Sequence, residues 1–187
     1  MIRQLLTPFV VIALALLLAA GPVAAHDGDT WPDAHTLRRS DLPPRPPRFA
    51  QYPAPRWQGR AAEVDVSSHP RSQQFRTRLR QAARLGPDFA GHYRIVSWGC
   101  GTGCLEHAIL DLRSGQVHHP ENFASTDPMN IDWKALEPPE GRLIKYRRDS
   151  RLLIVIGGIN NDPALRGISY FVWDGERLDR TAFVHKP

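Results

Sequence analysis

The spacing of apolar residues changes character near residue 89. Before it, Phe75, Leu79, Ala82 and Ala83 fall on one face at helical spacing. They predict a helix over 72–85, stopped by Gly86-Pro87. After it, short runs rich in β-branched and aromatic residues alternate with turn signals. Strands are predicted at 92–98, 106–112, 117–119, 142–147, 151–156, 168–173 and 177–184, with a further short one at 61–66. Arg113–Gln116, Asp149-Ser150 and Asp174-Gly175 supply the turns.

These strands carry a weak internal repeat. His92-Tyr-Arg-Ile-Val-Ser-Trp-Gly99 parallels Arg151-Leu-Leu-Ile-Val-Ile-Gly-Gly158, and each leads through glycine into a second strand with a tight turn beyond it. Two antiparallel meanders follow. They are blade-like, but two blades are too few to close a propeller. The fold class read is α+β: mostly antiparallel β-meanders in a twisted sheet or sandwich, with one N-terminal helix on one side. If the meanders are equivalent, segments 99–105 and 157–167 sit at equivalent ends. The second reads as a long polar loop, and long loops on a rigid sheet are common binding places. Asn160, Asn161, Asp162 and Arg166 are therefore ligand-contact candidates, with Trp98 as an aromatic wall.

The N-terminus changes the picture of where this domain matures. Arg3, the apolar run 9–20 and the small residues Val23-Ala24-Ala25 form the three parts of a secretory signal, read as cut before His26. Cleavage leaves 162 residues (187 less 25), one domain's worth, and lowers the formal net charge from +5 to +4. No later segment is apolar enough to cross a membrane. Residues 26–60 are rich in proline and arginine and poor in apolar side chains, so they read as a flexible basic arm ahead of a single domain at 61–187.

An exported chain with two cysteines points to a disulfide, Cys100–Cys104, inside Trp98-Gly-Cys-Gly-Thr-Gly-Cys104. So short a loop contributes only about 2 kcal/mol by chain entropy, so it fixes local shape. A redox pair is disfavoured by the spacing, and a zinc site lacks two further ligands. Arg76, Arg80 and Arg84 form a stripe with no carboxylate inside the predicted helix, and they are the anion-binding candidates. The competing reading is a solvated face. His107, with His118-His119 and Asp111 on one predicted hairpin, offers imidazoles without a clear metal tetrad, and adjacent His118 and His119 should face opposite sides of a strand. A mature N-terminal His26 lacks the second held histidine that a copper brace needs. No serine-hydrolase elbow, zinc-protease helix or phosphate loop is present. No catalytic residue, metal or cofactor is assigned.

The segment Phe89-Ala-Gly-His-Tyr-Arg-Ile-Val-Ser-Trp-Gly-Cys-Gly-Thr-Gly-Cys104, with Ala108–Gly115 and Ser150–Val155, resembles a set of uncharacterised exported bacterial proteins. The resemblance covers 89–184. It implies export and a shared fold and carries no activity. The functional reading is a small periplasmic or secreted binding protein of unknown ligand, an inhibitor or an envelope-interaction protein, with an envelope protein or polymer as partner and no nucleic acid. Two alternatives stand beside it: a small exported hydrolase or thiol enzyme using His92 or His107, and a metal-binding periplasmic protein.

Overall fold

The strand periodicity builds one antiparallel sheet in the computed structural model, which describes residues 36–129 and 143–186. Its strands are β1 (Tyr93–Gly101), β2 (Cys104–Asp111), β3 (Val117–His118), β4 (Ser125–Asp127), β5 (Ile144–Tyr146), β6 (Leu152–Ile159), β7 (Asp162–Trp173) and β8 (Leu178–His185). The order is β1-β2-β4-β6-β7-β8, with β3 added to β2 and β5 to β6. The two predicted meanders are thus β1–β2–β3 and β6–β7–β8, laid into a single sheet. The proposed signal peptide lies outside the described residues. Among those residues, no helix is long and apolar enough to cross a membrane.

Both meanders lean on β4, which the sequence pattern does not announce. Thr126 pairs with Leu105 on one side and Ile159 on the other. The chains come so close that a Cβ on Gly157 would stand 2.3 Å from the Asp127 carbonyl oxygen, at φ 142°. Only glycine fits there. Among the described residues, strand pairing between the two halves runs through β4 alone, and Ala90 N and Gly91 N add hydrogen bonds to the β5–β6 turn.

That narrow join lets the sheet fold over. On a flat sheet β1 and β7 would stand about 19 Å apart, four strand spacings. The rings of Tyr93 on β1 and Trp173 on β7 are instead 5.4 Å apart, and Phe123 lies 6.5 Å from Phe171. The inward phase of each strand therefore meets in one core: Tyr93, Ile95, Ile109, Leu153, Val155 and Phe171 are all buried there.

The two outer faces have separate covers. Helix α2 (Arg76–Ala83) sets Leu79, Ala82 and Ala83 on Val96, Ala108 and Leu110. The predicted single helix is broken. A short α1 (Pro70–Gln74) precedes α2, and Phe75 between them leaves helical geometry to stack on Trp98 at 4.3 Å. Pro70 opens α1, where a missing N–H costs nothing, and the His69 ring caps it by accepting from Arg71 N. The predicted strand at 61–66 is an extended strap. Ala62 N and Asp65 N donate to Leu112 and Gly115 carbonyls.

The other outer face corrects the reading of 26–60 as a flexible arm, for the part described. Residues 36–60 lie along the second half of the sheet. Leu37 is fully buried, and Leu42, Phe49 and Tyr52 pack beside it on Leu152, Ile156 and Tyr170. Ala54 N donates to Asp149, Arg151 N donates to Tyr52, and Ser150 Oγ bridges the Phe49 and Tyr52 carbonyls. A few well-spaced apolar residues suffice, because proline is tolerated at a sheet margin.

Segment 157–167 is likewise not a long loop. Its residues are the ends of β6 and β7, joined by a two-residue turn. Asn160 and Asn161 have φ 56° and 54°, the conformation of a tight primed hairpin turn. The Asn160 side chain accepts from Ser125 N (3.0 Å) and donates to the Glu121 carbonyl (2.6 Å), tying the hairpin to β4. Asn160→Ala should cost about 2–3 kcal/mol, from two hydrogen bonds and left-handed strain. Asn160→Gly should cost about 1 kcal/mol less, and Asn161→Gly should be neutral or stabilising. Urea unfolding of the three variants measures this order.

Candidate functional site

The sequence-derived candidates cluster at the β4 end of the sheet, and most of their polar groups are committed within the protein. Cys100 and Cys104 form the expected disulfide, Cα–Cα 5.2 Å, beside the Thr102-Gly103 turn. Both sulfurs are therefore bonded, and the thiol-enzyme reading has no thiol. Trp98 is 2 % exposed, donates to Glu106 Oε2 (2.8 Å) and lies under Phe75, so it is not a ligand wall. His107 is equally hidden. Ser97 Oγ and Thr126 Oγ1 each stand 2.8 Å from its ring nitrogens, and Phe123 stacks on it at 4.5 Å. Burial pushes its pKa down to about 4, so the ring is neutral.

Asp162 Oδ1 accepts from Ala164 N, and Arg166 pairs with Asp127 at 3.5 Å. Arg76, Arg80 and Arg84 do lie exposed along the helices, without a carboxylate partner among the described residues. Arg76 Nη1 donates to the Gln73 carbonyl, and Arg80 with Arg84 borders a shallow cavity of about 260 Å³. No further anion-binding geometry accompanies them.

The larger concavity, about 960 Å³, lies where the β2–β3 and β7–β8 turns meet. Its parts come from distant points of the chain. Tyr93 and Asp111 are a cross-strand pair on β1 and β2. His118 on β3 faces the same side, and Trp173 ends β7 opposite them. The His118 and Trp173 rings are 5.1 Å apart, edge to face, and His92 lies 4.1 Å from Tyr93. His119 points the other way, stacking on His69 at 4.2 Å and meeting Ser72 Oγ at 2.8 Å, as alternation on a strand requires.

Asp111 organises this end. Its Oδ1 accepts from Arg113 N (2.7 Å) and Ser114 N (3.3 Å), shaping the turn. The turn in turn needs Gly115: a Cβ there would strike the Glu63 carbonyl oxygen at 1.9 Å. His92 Nε2 stands 3.5 Å from the same Oδ1. Burial lowers the His92 pKa, Arg113 lowers it further, and Asp111 opposes both. Burial also lowers that of His118, against Asp111 and Glu176, and raises that of the Tyr93 phenol.

Polar satisfaction marks the pocket most clearly. Among the described residues, five buried side-chain polar atoms have no hydrogen-bond partner. Three of them, His92 Nε2, His118 Nε2 and Trp173 Nε1, belong to residues lining this one cavity. Such atoms are rare in native proteins and call for an explanation. One sequence signal pointed here: Asp111 sits in the inward phase of β2, two residues from buried Ile109. Among the described residues no group of three His, Cys, Asp or Glu is placed to hold a metal ion. Compared with protein-family models, curated proteins and solved structures, the chain gives no match in any of the three.

His107 yields a pH test of this interior. Its folded pKa is below the unfolded value, so the stability it contributes is full above about pH 6.5 and is lost as pH falls toward 4. That loss amounts to about 3 kcal/mol. His107→Gln, which cannot titrate, should show a shallower fall in Tm between pH 7 and pH 4 than the parent, measured by calorimetry.

Proposed function

We propose that the chain is an exported binding protein that holds a small molecule in the pocket between the β2–β3 and β7–β8 turns. The observation that carries this reading is that His92, His118 and Trp173, each with a buried polar atom short of a good hydrogen bond, line one cavity together with buried Asp111. These atoms are closed off from solvent, so the rings must turn toward a ligand to bond it, and each bond so made would offset up to about 1–3 kcal/mol of desolvation. The volume lies in the range that small-molecule sites occupy.

The export half of the proposal draws on the leader at 1–25 and on the disulfide, which fits an oxidising compartment. The periplasm or the medium is the proposed location. A small-molecule ligand is preferred here to an envelope protein or polymer. The hairpin ends offered for such a partner use much of their polar surface internally, through Asn160, Asp162 and Arg166.

A thermal-shift panel of neutral sugars, organic anions and amines tests the reading. A true ligand at about 100 times its Kd adds about 2.7 kcal/mol to folding, a rise of several degrees in Tm. Trp173→Phe, which removes the indole N–H, and His118→Asn should each diminish that rise. A panel with no stabilising compound, or one whose effect survives both changes, argues against the pocket.

A further inference from the structure

We infer that the pocket takes a small amine, with the Asp111 carboxylate as counter-ion to its ammonium group. This rests on the pocket being a ligand site, and it adds the chemical class.

Asp111 is the one carboxylate of the pocket that is buried, at 6 % exposure, whereas Asp174 and Glu176 lie exposed at the mouth. The only imidazole or cation within ion-pair distance of it among the described residues is His92, at 3.5 Å. Its Oδ1 serves the turn, and its Oδ2 has no hydrogen bond among the described residues. A buried carboxylate held by two amides and lacking a full positive partner is a place where a cation gains the most.

The surroundings agree with that sign. The rings of Tyr93 and Trp173 wall the cavity, and aromatic walls beside a carboxylate suit an ammonium group. Three carboxylates line it against two guanidiniums, Arg113 and Arg151, on a chain whose formal net charge is +5. The pocket is thus locally acidic on a basic protein. Neutral imidazoles leave that balance in place: burial holds both His92 and His118 below their ordinary pKa.

Matched probes test this by titration calorimetry on the whole domain: choline against its uncharged carbon isostere, tyramine against para-ethylphenol, and L-tyrosine against its deaminated acid. In at least one pair the amine should bind about tenfold or more tightly than its partner. Its affinity should fall as salt rises, a readout that needs no variant. Asp111→Asn keeps the Oδ1 acceptor for the turn, so it should fold and should erase the difference within that pair. If the nitrogen-free partner binds as well or better, and Trp173→Phe weakens it, the amine class is overturned while the pocket stands. If Asp111→Asn leaves the amine preference intact, the counter-ion role is overturned. If no probe binds, both the class and the pocket are rejected.

Discussion

The whole structure depends on one contact, the meeting of the inward faces of β1–β3 with that of β7. An antiparallel sheet this long has two faces to hide, and neither half has enough helix to cover both. Folding the sheet over β4 lets each half serve as the other's cover. The buried set Ile95, Ile109, Leu153, Val155 and Phe171 is the result. Each outer face then needs only a thin layer: α2 on one half, and the strap holding Leu37, Phe49 and Tyr52 on the other.

The same fold-over creates the pocket. At the β4 end the halves are sewn together by Asn160 and by the close approach of Gly157 to Asp127. At the other end β3 takes the edge of β2, and β5 the edge of β6, that β4 joins further along, and the cavity opens between the β2–β3 and β7–β8 turns. Inward strand positions there carry Tyr93, Asp111, His118 and Trp173, where a purely structural core would carry aliphatic residues. Polar side chains at core positions without full hydrogen bonding lower stability, and proteins keep them where function needs them. His107 shows the contrast: equally buried, but with both ring nitrogens partnered, it belongs to the framework.

Much of the fold was legible because it rests on local periodicity. Strand alternation located all of the long strands, and the parallel between 92–99 and 151–158 corresponds to two hairpins bulged at the same end. The disulfide followed from the cysteine count and the expectation of export. What escaped was long-range. β4 is three residues long, too short for a period, and is fixed by partners on both sides. The strap at 36–60 has few apolar residues, and nothing local tells that they meet a sheet more than 100 residues onward. Asn160-Asn161 had a local signal as a turn pair, yet reading it as a loop placed the candidate site at the sewn end. The pocket is assembled from five separated segments, so the inward phase of Asp111 is the one local signal that could have indicated it.

The central claim is that the two halves of one sheet face each other across Tyr93, His118 and Trp173. Nuclear Overhauser measurements on the isotopically labelled domain test it most directly, because they register protons within about 5 Å, comparable to the spacing of strands within a sheet. The account predicts cross-peaks from the Trp173 indole protons to the Tyr93 and His118 rings, together with Phe123 to Phe171. A well-folded spectrum that shows the β1–β2 and β6–β7 pairings but none of these ring contacts would mean that the sheet stays open, and would contradict the account.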